Sequence, residues 1–360
     1  MNFKIFYYEN YDSISFDKNN PRYVMSKPKV MDILSMLSKN QPFSLSKADF
    51  EDEQIIDKLL HIDVLVEKNG NLCIGVPLFL ETDLDELVHL SVHTAKHITQ
   101  ILISKKDELY KCISKINNSF SAEINLYHLL SGQIFDGMMF DFLEQENLVT
   151  TSKIHHTGLD YLVIIYEDSD KLADYSDRLL CSYNRLSTSN GTFSSFGDSN
   201  GIRKDFYRFY RQMELDNLSS SEKAMALPKP EILAEQFYNL VIGKEVSKRY
   251  IDLFEYFGYV RDNNIIVPVY LKEVDAIVQE LFDLIIHDIQ VPIIQAIQQI
   301  GSSTLTSIYN GVDVKDIANE IYHLIFGEVN ELLVKNGIVA TPIHLDGEGR
   351  YLRCFENKSI

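Results

Sequence analysis

The sequence contains no tryptophan and few cysteines. The four cysteines lie far apart, at Cys73, Cys112, Cys181 and Cys354. Zinc sites and redox motifs place two cysteines a few residues from each other, so this spacing supports neither. We therefore expect four free, buried thiols in a protein of a reducing compartment.

Positive charge is also scarce in this chain. It has 34 Lys and Arg residues against 52 Asp and Glu, which gives a formal net charge of -18. Binding to nucleic acid or to anionic membranes draws on clustered Lys and Arg, and an excess of acidic residues opposes it. Any contact with nucleic acid must therefore come from a local basic patch.

A long uninterrupted apolar run is missing as well. The most apolar stretch, 277–297, is interrupted by Glu280, Asp283, His287 and Asp288, so it does not predict a membrane-spanning helix. The N-terminal residues become polar too early for a signal peptide. We expect a cytoplasmic protein that has no membrane partner.

What the chain does contain is an ordered set of short motifs that occurs twice. Its 360 residues, 45% apolar and 24% charged, are typical of a globular protein of two or three domains. The first series is Lys27-Pro28, Leu59-Leu60, Val76–Leu80, Tyr127–Leu130 with Gly132, Thr151, Ile154-His155 and Tyr161-Leu162. The second is Lys229-Pro230, Leu253-Phe254, Val267–Leu271, Tyr322–Ile325 with Gly327, Thr341, Ile343-His344 and Tyr351-Leu352. The shared order predicts an internal duplication.

Both series lie in the same predicted succession of helices and hairpins. For the first copy the patterns predict a helix over 30–38, a short helix capped at Ser44-Leu45-Ser46, a helix over 51–61, a hairpin over 64–80 and a long helix over 83–116. For the second copy they predict helices over 231–242 and 246–257, a hairpin over 258–271 and a long helix over 275–300, kinked at Pro292. This succession is the pattern of a winged helix.

Residues 59–80 and 253–271 resemble the third helix and the wing of bacterial regulators of the MarR and PadR type, within the winged helix-turn-helix superfamily. In those families the long helix that follows the wing dimerises. The resemblance implies a mainly α fold with small β-hairpins (α+β), built from tandem duplicated winged-helix-like modules. The helices near 83–116 and 275–300 would then pack together as the seam of an intramolecular pseudo-dimer.

The predicted domain division follows the two copies and the insert between them. The divisions are 1–120, a winged-helix-like module with its long helix; 121–168, a helix–hairpin unit; 169–225, inserted helices with a Ser/Gly/Asn-rich loop over 187–201; 226–301, the second module; and 302–360, a second helix–hairpin unit. The first helix–hairpin unit is predicted to have strands over 148–149 and 161–166, and the second a helix over 317–335 with strands over 337–339 and 351–355. For both units, a further winged helix and a plain subdomain remain equally open.

The insert carries local positive charge. From Ser176 to Met213, six basic and three acidic residues give a net charge of +3 among aromatic side chains. The basic residues on a predicted helix over 202–218 are Arg203, Lys204, Arg208 and Arg211. Such a surface can hold phosphates and stack bases. The structural alternative is an amphipathic helix whose arginines are solvated or paired with acids.

The two predicted recognition helices differ in charge. The second copy has Lys244, Lys248, Arg249 and Arg261 near the helix start and on the wing, where regulators contact DNA. The first copy has the acids Glu51, Asp52, Glu53 and Asp57, relieved by Lys58. We therefore predict a DNA-binding transcriptional regulator that contacts DNA through the second module and the basic insert helix. The alternative is a non-enzymatic adaptor that docks a basic or hydrophobic protein on its acidic first module.

The sequence predicts no catalytic residue, metal or cofactor, and we do not expect an enzyme. Histidines recur at matched places, His128 with His323 and His155 with His344, and imidazoles can bind metal. Their apolar neighbours favour a duplicated core hydrogen bond instead. Residues 197–201 match the Gly-x-Ser-x-Gly pattern of a nucleophile elbow. The preceding residues 192–196 are too short and polar to predict the buried strand that an elbow needs.

Overall fold

The computed structural model describes residues 1–10, 17–39, 45–199, 203, 205–207, 228–342 and 349–357. The chain is a mixed α+β protein, about 53% helical with 17% strand in small sheets, in agreement with the predicted α+β class. Across these described ranges, no helix combines the length and apolarity needed to cross a membrane. All four cysteines are free and buried, as predicted.

The described elements alternate between helices and short strands. The helices are α1 (Pro21–Met25), α2 (Val30–Lys39), α3 (Glu53–His61), α4 (Leu84–Ser104), α5 (Lys106–Ile113), α6 (Ala122–Leu126), α7 (Met139–Gln145), α8 (Asp170–Ser176), α9 (Pro230–Val241), α10 (Lys248–Tyr256), α11 (Val274–Ile300), α12 (Thr306–Tyr309) and α13 (Val314–Lys335), with a π-helix at Tyr127–Met138. The strands are β1 (Phe3–Glu9), β2 (Leu65–Lys68), β3 (Asn71–Ile74), β4 (Leu78–Phe79), β5 (Lys153–Ile154), β6 (Asp160–Glu167), β7 (Cys181–Ser187), β8 (Gly191–Asp198), β9 (Val260–Arg261), β10 (Asn264–Ile265), β11 (Val269–Tyr270) and β12 (Tyr351–Asn357).

The chain divides into two compact lobes, each assembled from separate stretches of sequence. Lobe 1 comprises Met1–Thr94, Phe140–Arg178 and Val291–Ile325, and lobe 2 comprises Ala95–Met139, Leu179–Gln290 and Phe326–Ile360. The predicted divisions were continuous stretches, whereas both lobes are discontinuous. Each lobe therefore combines a sheet and hairpin from one half of the sequence with helices from the other half.

Lobe 1 is built on a sheet whose central strand is β6. β1 pairs with β6 antiparallel, with Ile5 opposite Ile165, and β4 pairs with β6 parallel, with Leu78 opposite Ile165. The six residues Tyr161–Tyr166 are all buried, as expected for an apolar strand covered on both faces. The helix–hairpin segment of residues 30–74 (segment A; α2, α3, β2 and β3) packs its apolar side chains into the same core.

Lobe 2 has a sheet with the same central arrangement around β12. β8 pairs with β12 antiparallel, with Phe193 opposite Phe355, and β11 pairs with β12 parallel, with Val269 opposite Phe355. β7 extends the sheet beyond β8. The helix–hairpin segment of residues 230–265 (segment B; α9, α10, β9 and β10) packs against this sheet in a core dominated by aromatic rings.

Segments A and B share backbone details beyond the order of their elements. The backbone N–H of Val64 donates to Leu59 O at 3.0 Å, and that of Tyr259 donates to Phe254 O at 2.8 Å. This pair of bonds matches Leu59 with Phe254, one residue away from the Leu253 that the sequence motifs aligned with it. In the sheets, the Ile165 and Phe355 N–H groups donate to the carbonyls of prolines, Pro77 and Pro268, at 2.9 and 3.0 Å.

The prediction of a loop over 187–201 is wrong, because Gly191–Asp198 forms the buried strand β8. Its glycines let β12 approach closely: a Cβ at Gly197 (φ +143°) would lie 2.0 Å from the Arg350 carbonyl oxygen, and one at Gly191 would lie 2.4 Å from that of Glu356. The serines that made this stretch look like a loop form hydrogen bonds inside the lobe, as described below.

Three other predicted elements differ from the structure. The long helix predicted over 83–116 is two helices, since α4 ends at Ser104 and α5 begins after Lys105. The strands predicted at 148–149 and 337–339 are not strands in the described structure, and β6 pairs with β5 instead. The second long helix is present as α11, with Pro292 inside it.

Candidate nucleic-acid interface

Helix α10 begins directly after Ser247 and presents its first turn to solvent. Lys248 and Arg249 are exposed, Ile251 is half-buried and Phe254 is fully buried. Spacing of this kind gives a helix one apolar face, so anchoring Phe254 in the aromatic core leaves the two cations outside. Within the described chain, the Ser247 hydroxyl makes no capping hydrogen bond.

The hairpin that follows α10 adds a further exposed cation. Val260 is buried and pairs with Ile265, whereas Arg261 is exposed and pairs with Asn264. The turn residues Asp262 and Asn263 have positive φ angles of 50° and 62°, as expected for a tight two-residue turn that matches the strand twist. The hairpin therefore alternates an apolar side chain facing the core with a cation facing solvent.

Acidic side chains lie among these cations. Residues 244–262 contain four cations, Lys244, Lys248, Arg249 and Arg261, and four acids, Glu245, Asp252, Glu255 and Asp262, all of them exposed. Their formal charges cancel, in a chain whose net charge is -18. The matching residues of segment A, 49–67, contain seven acids and one lysine. Segment B is therefore less repulsive to a phosphate backbone than segment A by six formal charges.

One cation of the predicted insert helix, Arg203, is buried and does not face a nucleic acid. Its side chain is 2% exposed. The guanidinium donates to Ser182 O at 2.9 Å and to the Ser182 hydroxyl at 2.7 Å, and Arg203 Nε lies 3.3 Å from Asp205 Oδ2. The Arg203 guanidinium is therefore bonded inside lobe 2 and does not contact a phosphate. Lys204, Arg208 and Arg211 lie outside the described residues.

The carboxylate that Arg203 faces belongs to a buried polar cluster that the sequence patterns missed. Asp205 is fully buried and accepts a hydrogen bond from the Ser195 hydroxyl at 2.7 Å. The Tyr207 hydroxyl lies 2.9 Å from the same serine oxygen, and burial raises the pKa of Tyr207 well above its usual value. Arg353 Nε lies 3.9 Å from Asp205 Oδ1. The cluster joins β8 to β12 by charge and hydrogen bonds.

The duplicated core hydrogen bond predicted for His128 and His323 is not found, because the two imidazoles bond different partners. His128 Nε2 lies 2.9 Å from the Ser194 hydroxyl, and burial lowers the His128 pKa to about 3. His323 Nδ1 donates to Asn319 O at 2.9 Å, and burial lowers its pKa to about 4. Both imidazoles are therefore neutral near pH 7. A buried serine beside a neutral histidine is no nucleophile site here, since a substrate has no access to atoms that are fully buried.

A second histidine group, in lobe 1, was found only in part from the sequence. His155 Nδ1 lies 2.6 Å from Asp63 Oδ2 and its Nε2 lies 3.0 Å from Tyr161 O, which fits the predicted core hydrogen bond. His156 Nε2 lies 3.2 Å from His61 Nδ1 at the surface. His344, the predicted counterpart of His155, lies outside the described residues. Among the residues that the structure does describe, no group of three or more His, Cys, Asp or Glu side chains is placed to hold a metal ion.

Comparisons with known proteins add no assignment to this geometry. No protein-family model matches the chain, and searches of curated proteins and of solved structures return no match. What can be said of function therefore depends on the residues of the chain itself.

Proposed function

We propose that segments A and B are winged-helix modules that descend from one duplicated ancestor. The matched backbone hydrogen bonds support this origin, and so do the polar residues directly before α3 and α10, Asp52 and Ser247. A further match is the positive φ that follows each helix, 54° at Asp63 and 72° at Gly258. The same hypothesis also predicts that α4 and α11 pack together as the seam of a pseudo-dimer.

On this basis the protein is a DNA-binding transcriptional regulator that contacts DNA through segment B. The observation that carries the proposal is the exposure of Lys248 and Arg249 in the first turn of α10, with Arg261 on the adjoining wing. Winged helices place the start of this helix in the major groove and the wing along the backbone. The amide groups of a helix N-terminus also attract phosphate.

Segment A does not share this role. Glu53 and Asp57 are exposed on α3, with side chains 62% and 60% exposed, and they surround Lys47 at 3.6 and 2.7 Å. A lysine held by two carboxylates offers little to a phosphate, and the remaining acids repel it. The protein therefore contacts DNA through one module, and we expect its DNA site to be asymmetric and not palindromic.

The test is a gel-shift titration of labelled genomic fragments at low and at physiological salt. The double variant Lys248→Glu, Arg249→Glu should weaken binding by at least about thirtyfold, the loss expected from ~2 kcal/mol or more of lost contacts. A matched control, Lys111→Glu with Lys335→Glu, makes the same change in net charge at exposed sites away from segment B. Equal losses of DNA affinity in the two double variants would show that only the net charge of the protein matters. That result would overturn the proposal.

An adaptor function is the second candidate, and the acidic surface of α3 favours it. A basic protein segment would pair with Glu53 and Asp57, and its affinity would fall as salt screens the pairs. If a partner co-purifies in stoichiometric amount, Glu53→Lys with Asp57→Lys should release it, while Lys248→Glu with Arg249→Glu should leave it bound. The opposite pattern would place the partner on segment B and contradict the adaptor proposal.

A further inference from the structure

Lobe 2 has a partly open cavity of about 280 Å³ between the wing, the start of β12 and the stretch that leads into α6. Its described lining residues are Phe120, Ile124, Gly258, Arg261, Ile266, Val267, Pro342, Gly349, Tyr351, Leu352 and Arg353. The volume lies just below the ~300–1,000 Å³ range of typical small-molecule sites. A compact ligand of a few carbon atoms and one polar group therefore suits it.

The described walls of this cavity are mainly apolar, and the charged side chains among these described residues are arginines. Five lining side chains are hydrocarbon or aromatic surfaces from the wing, β12 and the α6 region: Phe120, Ile124, Ile266, Val267 and Leu352. The charged residues among the described lining are Arg261 and Arg353, and none is acidic. In a chain with 52 acidic and 34 basic residues, such a lining favours an anion over a cation or a neutral molecule.

The guanidinium of Arg353 is held in place before any ligand arrives. Its side chain is 5% exposed, and it donates a short hydrogen bond to the Tyr351 hydroxyl. The Arg353 Cζ atom lies 4.4 Å from the centre of the Tyr351 ring and 5.9 Å from that of Tyr259. Asp205 Oδ1 forms an ion pair with it, 3.9 Å from Arg353 Nε. A planar fork fixed in this manner is suited to bind a carboxylate in a defined orientation.

We propose that this cavity is a binding site for a small organic monoanion, with its carboxylate at Arg353 and Arg261 and its apolar body against Ile124, Ile266 and Leu352. Arg353 supplies the fixed, mostly buried contact, and Arg261 supplies an exposed one at the mouth. The site does not depend on the DNA-binding proposal, since every residue in it is assigned from the cavity itself. Arg261 would serve both, so an occupied site would compete with a phosphate for that side chain.

The absence of tryptophan from the chain permits a clean assay. Phe120→Trp places a single indole in the lining, and its fluorescence reports occupation of the cavity. The probes are hexanoate, its neutral counterpart hexanol and its cationic counterpart hexylammonium. We expect saturable binding of hexanoate, binding of hexanol at least about tenfold weaker as expected where a charge-assisted hydrogen bond is missing, and no response to hexylammonium.

Two further variants in the Phe120→Trp background test which arginine binds the carboxylate. Arg353→Gln should reduce the affinity for hexanoate by at least about tenfold and leave that for hexanol unchanged. Because a buried arginine can be needed for folding, Arg261→Gln is tested beside it, with a smaller loss of about threefold expected at the exposed position. The control is Arg185→Gln, the same substitution at an exposed site on β7 outside the cavity.

Two outcomes overturn the proposal. One is equal affinity for hexanoate and hexanol, and the other is an affinity for hexanoate that Arg261→Gln and a folded Arg353→Gln leave at the level of Arg185→Gln. These titrations contain no DNA, and Lys248→Glu with Arg249→Glu should not alter them. A failed gel shift and a failed titration therefore identify different errors.

Discussion

Segments A and B match in backbone from the start of α3 or α10 to the hairpin turn, but their side chains differ. At matched positions, segment A has the buried side chains Ile55, Ile56, Leu59 and Ile62, and segment B has the half-buried Tyr250 and Ile251 and the buried Phe254 and Phe257. The exposed positions differ in charge instead, with Glu53 in A where Lys248 stands in B. Similar turns and similar apolar spacing accompany this shared backbone. Core volume and surface charge remain free to vary around it.

The largest effects should come from truncating the matched core positions. Leu59→Ala and Phe254→Ala should lower the free energy of unfolding by about 2–5 and about 3–5 kcal/mol, because both side chains are fully buried. Phe254 also loses its edge-to-face contact with Phe237, whose ring centre is 5.1 Å away. Urea denaturation followed by circular dichroism measures both losses, and the exposed Glu255→Ala should stay within about 0.5 kcal/mol of the parent.

A loss below about 1 kcal/mol at either core position would break the comparison. It would mean that one segment does not depend on this helix (α3 or α10) for stability, although the other segment does. The two helices would then no longer be equivalent parts of the fold.

The second contrast concerns His128 in lobe 2 and His323 in lobe 1. Burial lowers the pKa of His128 to about 3 and that of His323 to about 4. The unfolded chain, with histidines near 6.5, therefore binds protons that the fold does not, and stability falls as pH drops below about 6.5. The fall ends near pH 4 for His323 and near pH 3 for His128.

At pH 5 each histidine should remove on the order of 2 kcal/mol of unfolding free energy relative to pH 7. Denaturation of the protein, of His128→Gln and of His323→Gln at both pH values tests this, because the difference between the two pH values cancels the cost of the substitution itself. Each variant should lose its own share of the pH dependence. If either variant kept the full dependence, that imidazole would be titrating normally and could not be a neutral core group.

The sequence patterns predicted local elements better than pairings between distant ones. Helices α3, α9, α10, α11 and α13 followed from apolar spacing, and the predicted hairpins over 64–80 and 258–271 contain the observed pairs β2–β3 and β9–β10. Strand β8 was not predicted, because Ser194 and Ser195 look solvated unless their partners His128 and Asp205 are known. The glycines that flank β8 were the available signal, since a close backbone approach needs them.

Only part of the candidate site was predicted, because sequence patterns show local contacts and not contacts between distant residues. Lys244, Lys248, Arg249 and Arg261 lie in a local helix and hairpin, so their exposure could be inferred from periodicity. Arg203 is buried, donates to Ser182 on β7 and lies beside Asp205. No local sequence pattern contains the contact with Ser182. The cavity beside Arg353 brings together residues more than 200 positions apart, so only the fold could locate it.

The smallest contrast lies at the two residues that precede α3 and α10. The Asp52 side chain accepts a hydrogen bond from Ile55 N at 3.3 Å, whereas the Ser247 hydroxyl makes no such bond within the described chain. Asp52→Ala should therefore lower the free energy of unfolding by about 1 kcal/mol. Ser247→Ala should change it by no more than about 0.5 kcal/mol. Urea denaturation of the two variants, with Asp52→Asn as the control that keeps the acceptor, measures the difference.

An equal loss at both positions would show that Ser247 caps α10 in solution as Asp52 caps α3, and the two helix starts would be alike. A silent Ser247→Ala would leave the hydroxyl and the first amides of α10 unengaged by the fold. If that same substitution then weakened DNA binding in the gel shift, the hydroxyl would be contacting phosphate directly. The difference between the two caps would in that case belong to DNA recognition in segment B, and the stability of α10 would rest on Phe254 and its aromatic neighbours.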